Sequence, residues 1–260
     1  LNLNFAKLQI KNIHNFDDRV KSGMTTFLFN KEKSYINYKL NNNYFEFDFY
    51  DELDQPKFLY NGKLNFKPFY SFFEGTSEEI NFSYFFGSNS VITELLKTEI
   101  LNNNNINFNL NINSNKIQNN SNFTNLQLKS KIQEGLIDVD ETKIEWKNNI
   151  NAKLINTLIH VKNGKLTLEG RSVLNISNSK KIYQYLLTPK NFRKNIKKID
   201  FSFSYIFDEK MLILQDIMID GKFNKKVNER LNNIYLRDYD LQNKIYFKNL
   251  MNDAIKAYAG

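Results

Sequence analysis

Residues Asn105-Ile-Asn-Phe-Asn-Leu-Asn-Ile-Asn113 alternate without a break, so Ile106, Phe108, Leu110 and Ile112 fall on one side of an extended chain and the asparagines on the other. That is a β-strand with one apolar face. The same two-residue period returns at Phe45, Phe47 and Phe49, at Leu126, Leu128 and Ile132, at Leu166 and Leu168, and at Ile199, Phe201, Phe203, Tyr205 and Phe207. Each such side chain left in water costs roughly 1.5–3 kcal/mol. The pattern therefore asks what covers the apolar face, and the answer is either protein or lipid.

Strand-like segments recur at 5–11, 25–29, 34–40, 44–50, 57–60, 63–67, 80–84, 105–113, 123–133, 136–139, 142–146, 153–161, 165–169, 171–176, 199–207 and 211–219. This reads as a mainly β chain arranged as an antiparallel meander, with Asn163-Gly164 the clearest hairpin turn and Asp208-Glu209-Lys210 another. Helical spacing interrupts the strands at Ser90 to Leu101, Ser179 to Leu187, Lys225 to Ile234 and Asn243 to Ala257, so residues 225–260 read as a helical tail. These helices are too short and few to cover the whole apolar face. No linker divides the 260 residues, which read as one β unit.

Asparagine makes up about one residue in six, a bias in keeping with AT-rich codon usage, and its runs at 102–105 and 119–122 mark turns. With no cysteine there are no disulfides, thiolate metal sites or thiol chemistry. No apolar run approaches the roughly 20 residues of a membrane helix. The chain opens on Leu1, which reads as a segment of a longer protein. Residues 1–160 carry 17 Lys/Arg against 18 Asp/Glu, and residues 161–260 carry 19 against 10, so the net charge of +8 belongs to the C-terminal part. Its cations cluster at Lys180, Lys181, Lys190, Arg193, Lys194, Lys197 and Lys198, then at Lys222, Lys225, Lys226 and Arg230. Such clusters suit phosphates or simply a solvated surface.

No enzyme is expected. His14 and His160 lack ligand-spaced partners, which gives them structural roles and leaves no metal site or cofactor. Asp138-Val-Asp140-Glu-Thr142 has the form of an aspartyl-phosphate element, but that chemistry needs a parallel α/β sheet, so these acids read as a hairpin edge. Glycine loops for phosphates and serine elbows are missing. The aromatics share the apolar parity of strands instead of standing as stacking platforms, which argues against nucleic acid.

Tyr60-Asn-Gly-Lys-Leu-Asn-Phe-Lys-Pro-Phe-Tyr70, the run from Ile80 to Ile112, Gln133-Glu-Gly-Leu-Ile-Asp138 leading to Ile144-Glu-Trp146, and Leu166 through Lys222 resemble the C-terminal region of AsmA-like proteins of Gram-negative bacteria. The resemblance covers most of residues 60–233, and the family is related to TamB, YhdP and the bridge-like lipid transfer proteins. It implies a long, twisted, open sheet curled into a β-taco-like groove, in the C-terminal part of a longer protein. It further implies a periplasmic location, an inner-membrane anchor absent from this chain, and contact with other envelope proteins. The implied role is non-enzymatic transfer of phospholipid between inner and outer membrane. On this resemblance the groove is lined by Phe45, Phe47, Phe49, Ile106, Phe108, Leu110, Ile112, Leu166, Leu168, Phe201, Phe203 and Tyr205, with Lys190, Arg193, Lys194, Lys197 and Lys198 at the headgroup rim. The residues alone equally allow a closed β-sandwich, an assembly or adhesion module that binds a protein partner without lipid. A transmembrane β-barrel ranks third, because its apolar face turns outward and its strands are not interrupted by helices.

Overall fold

Alternating sequence of this kind has to pair its backbone with neighbouring strands, and short turns dictate that the neighbour in space is the neighbour in sequence. The computed structural model describes residues 2–5, 8–16, 20–29, 32–51, 56–81, 96–98, 107–118, 120–133, 136–232, 234–237 and 243–260. In chain order the elements are β1 (Asn2–Phe5), β2 (Leu8–Phe16), β3 (Lys21–Phe29), β4 (Glu32–Leu40), β5 (Tyr44–Tyr50), β6 (Phe58–Phe66), β7 (Phe69–Ile80), β8 (Asn107–Ile117) and β9 (Phe123–Gln133). They continue with β10 (Leu136–Asp138), β11 (Lys143–Trp146), β12 (Ile150–Lys162), β13 (Lys165–Ile176), α1 (Ser179–Leu186), β14 (Lys198–Ile206), β15 (Met211–Ile219), β16 (Lys222–Phe223), α2 (Lys225–Leu231), β17 (Tyr235–Arg237) and α3 (Lys244–Ala259).

All 17 strands belong to one sheet. Strands pair in chain order from β1 to β9; β10 and β11 share the lane between β9 and β12; β12 to β15 follow in order; β16 and β17 share the lane beside β15. The mainly β, single-sheet expectation holds. One joint departs from the antiparallel expectation: β7 and β8 run parallel, with Ser71 opposite Phe108 and Gly75 opposite Ile112. A parallel joint requires the chain to cross back over the sheet. That crossing is 81–106, which takes in Ile106 and nearly all of the expected helix at Ser90 to Leu101, both outside the described residues; Leu96 and Lys97, within it, are helical. Leu96 packs against the cluster of Ile132, Ile137, Val139, Ile159 and Leu166, and Lys97 forms an ion pair with Asp208 in the β14–β15 turn. Lys97 and the Leu166 N–H hold the Asp208 carboxyl below the usual range.

Asparagine and aspartate set much of the local geometry. Asn163-Gly164 and Asp220-Gly221 take positive φ at the tips of the β12–β13 and β15–β16 hairpins. Asn125, Asn156 and Asp216, at φ 51°, 48° and 50°, sit where β9, β12 and β15 shift register against their partners. Each shift is a bulge that moves the apolar parity by one residue, so Ile150, Ala152 and Leu154 share a face with Ile159 and Val161. Asn178, Asn224 and Asn243 accept backbone N–H bonds as the N-caps of α1, α2 and α3.

The helices close the C-terminal end of the sheet. Tyr183 of α1, Val227 and Leu231 of α2 and Ala254 of α3 are buried with Ile196, Ile217 and Ile219. Asn228 ties α2 to β15: its side chain accepts from the Ile217 N–H at 2.8 Å and donates to the Ile217 carbonyl at 2.7 Å. The Tyr183 hydroxyl donates to the Lys194 carbonyl, and burial pushes its pKa up to about 12. An acid whose folded pKa lies above its unfolded value of about 10 contributes stability in full below about pH 10 and loses it as the pH climbs toward the folded value. Denaturant unfolding followed through that window should therefore show a steeper alkaline loss for the wild type than for Tyr183→Phe; parallel curves would refute the assignment.

Candidate functional site

Register carries one apolar face across the whole sheet. Phe49 lies opposite Tyr60, Tyr60 opposite Gly75, Gly75 opposite Ile112 and Ile112 opposite Leu128. In the next row Tyr38, Phe47, Gly62, Phe73 and Leu110 follow one another. A third runs Phe45, Leu64, Ser71, Phe108, Ile132, Ile137, Ile159, Leu168 and Tyr205. Phe45, Phe47, Phe49, Phe108, Leu110, Ile112, Leu166, Leu168, Phe201, Phe203 and Tyr205 thus all share one side, separated by many strands.

The two halves of that face differ in what lies over them. In the C-terminal half Ile112, Leu126, Ile132, Ile159, Leu166, Phe203 and Ile219 are buried, with Leu168 and Tyr205 half-buried between them, and Phe201 packs against the helical cluster. In β4 to β6 the apolar-face residues Ile36, Tyr38, Phe45, Phe47, Phe49, Tyr60 and Leu64 are only half-buried, as are Phe73, Phe108 and Leu110 beyond them. Here rings lie against one another: Tyr38–Phe45 at 6.1 Å between centroids, Phe45–Phe47 at 5.8 Å, Phe47–Phe73 at 5.5 Å and Phe73–Phe108 at 4.8 Å. The result is a stripe of aromatic rings running across the strands from β4 to β8, about 19 Å at roughly 4.8 Å per strand.

Glycines make room for the stripe. Phe47 and Phe73 meet above Gly62 of the intervening strand, and the Tyr60 ring lies over Gly75, where a Cβ would sit 2.0 Å from its Cδ1. Sequence reasoning missed Tyr60, Phe73 and these glycines; the signal available was an aromatic on the same parity as each glycine. The stripe ends at His14, which stacks on Tyr38 at 5.8 Å with its Nδ1 2.8 Å from the Tyr38 hydroxyl.

The other face is polar: Asn109, Asn111, Gln127, Lys129, Lys153, Glu169 and Arg171 lie on it. His160 stands 3.5 Å from Glu169 there, and Arg171 and Lys198 pair with Asp200, a buried carboxylate. A cleft of about 590 Å³ opens on this polar face across β2 to β7, between Asn15, Ser22, Lys39, Glu46 and Lys63, with Ile13, Met24 and Phe72 beside them. Within it Lys63 Nζ lies 2.5 Å from Glu46 Oε1 and 4.4 Å from the Tyr44 ring centroid. The sequence reading had no place for this cleft.

Lys190, Arg193, Lys194, Lys197 and Lys198 do not trace an edge of the apolar stripe. The Arg193 Nε donates to the Thr188 carbonyl at 2.8 Å, Lys194 Nζ lies 3.5 Å from the Tyr258 carbonyl, and the Lys197 N–H donates to Asp220. Their place is against the helical cap. The Asp138-x-Asp140-x-Thr142 side chains are structural: Asp138 accepts the Asp140 N–H, Asp140 accepts the Thr157 N–H at the β12 bulge, and Thr142 donates to the Lys129 carbonyl. No set of His, Asp or Glu among the described residues is arranged to hold a metal ion.

These features define a class: one chain-ordered sheet with one apolar face, packed in its C-terminal half by its own helices and Leu96 and bearing a half-buried aromatic stripe across β4 to β8. Comparison with protein-family models, with curated proteins and with solved structures finds no match.

Proposed function

We propose that this chain binds phospholipid acyl chains along its apolar face and passes them, without chemistry, between the inner and outer membranes of a cell envelope. The observation that carries the reading is the half-exposed aromatic stripe of β4 to β8 on a face continuous in register with the buried C-terminal core. An acyl chain laid on such a surface gains about 0.8 kcal/mol per methylene removed from water, so contact with eight methylenes contributes about 6 kcal/mol. Tyr and Phe rings suit a sliding ligand because they offer area without fixing a position. The AsmA-like resemblance of residues 60–233 belongs to the same proposal, as do the periplasmic location and the anchor outside this chain.

The protein purified without detergent should carry near-stoichiometric phospholipid in its organic extract, measured by mass spectrometry beside an unrelated β protein. Phe47→Asp should lower that content several-fold while leaving the far-ultraviolet β signal unchanged. A folded, lipid-free wild type would overturn the reading. The cleft on the polar face favours a second one, a module that receives a protein partner there and binds no lipid.

A further inference from the structure

Three features of the helical cap are left unused by the stripe. Leu187 ends α1 at φ 60° and is 74% exposed. A left-handed residue closing a helix is ordinarily Gly or Asn, so at Leu187 an apolar side chain is held outward against both backbone preference and solvation. Ile245, on α3, is also 74% exposed. The Asn252 side chain grips both residues flanking Leu187, donating to the Leu186 carbonyl at 2.7 Å and accepting from the Thr188 hydroxyl at 2.6 Å. Ile245, Lys248 and Asn252 follow one another at helical spacing on one side of α3, so Ile245 lies about 10 Å along the axis from the Leu187 anchor.

Cations and amphipathic rings surround these two aliphatics. Tyr185 of α1 packs edge-on against Trp146 at 5.0 Å, and the ammonium groups of Lys147 and Lys248 lie 4.9 and 4.7 Å from the Tyr185 ring centroid. Arg193 is fixed beside Leu187 through its bond to the Thr188 carbonyl. Among the described residues no carboxylate pairs with Lys147, Arg193 or Lys248.

We propose that the α1–α3 face of the cap docks onto an anionic bilayer surface, with Leu187 and Ile245 entering the acyl boundary, Trp146 and Tyr185 at headgroup level and Arg193, Lys147 and Lys248 against lipid phosphates. A nucleic acid backbone matches the cations but gives the two aliphatics nothing to enter. The surface is separate from the stripe, and docking stands whether or not the stripe carries lipid.

The test is co-sedimentation of the 260-residue chain with phosphatidylcholine vesicles containing about 30 mol% phosphatidylglycerol, against phosphatidylcholine alone. Binding should require the anionic lipid. Leu187→Asp with Ile245→Asp, both at exposed positions, should weaken it at least tenfold, and Lys147→Glu with Lys248→Glu should do the same. Co-purified phospholipid should stay unchanged in these variants, and Phe47→Asp should lose co-purified lipid yet still dock. Equal binding to both vesicles, no binding, or binding to a single-stranded oligonucleotide that the aliphatic substitutions leave unaltered would each overturn the proposal.

Discussion

Replacing Gly62 by valine should destabilise the protein by about 2–3 kcal/mol. Strand propensity argues the opposite, because a β-branched residue favours an extended backbone over glycine by up to about 1 kcal/mol. Packing decides the sign. A Cβ at Gly62 falls 2.4 Å from Phe73 Cδ1 and 2.7 Å from Phe47 Cε1, so both rings must shift out of their contacts. Phe47 is backed by Phe45 at 5.8 Å and Phe73 by Phe108 at 4.8 Å. Urea unfolding of the variant should show a lower midpoint at an unchanged slope. A higher midpoint would mean that the two rings do not meet over the glycine.

Leu166→Ala should be costlier still, about 3–4 kcal/mol, within the usual span for a fully buried leucine. Leu166 is 1% exposed among Ile132, Ile137, Val139 and Ile159, with Leu96 packed against the same cluster, so truncation leaves a cavity that stiff strands cannot close. Phe47→Ala removes a larger side chain yet should cost only about 1–2 kcal/mol, because that ring is only partly buried. The order of the two, measured on delipidated protein, separates a covered half of the face from an uncovered one. If Phe47→Ala proved the more damaging, the stripe would be an ordinary packed core and the lipid reading would fall with it.

Much of this architecture is legible in the alternation itself. The period-two runs at Phe45, Phe108, Leu166 and Phe201 all land on one face, and the Asn163-Gly164 hairpin and the three C-terminal helices form close to where their spacing places them. Local signals fail where a residue has two uses. Gly62 and Gly170 read as breaks, splitting β6 and β13 in two, whereas each is a strand interior where a neighbouring side chain occupies the space of the missing Cβ. Phe69–Ile80 does not alternate cleanly, since Phe72 and Phe73 are adjacent and Ser71, Gly75 and Ser77 supply the apolar-face positions; its strand is fixed by its neighbours. Asparagine, set aside as codon bias, supplies helix caps and two of the three bulges. The halves of the apolar face could not be told apart in sequence, because what packs on one of them, Leu96 and the C-terminal helices, is distant along the chain.

Pairing in chain order also bears on how the sheet assembles. Almost every ladder joins a strand to the next one along the chain, and apart from β7–β8 and β13–β14 the loops between such partners are short, so most strands add to an edge already formed and sequence separations stay low for a β protein. The parallel β7–β8 joint has the longest connection, residues 81–106, and β13–β14, with α1 between its strands, the next. Zippering can therefore start independently on either side of that joint, and joining the two sides is the step with the largest loop to close.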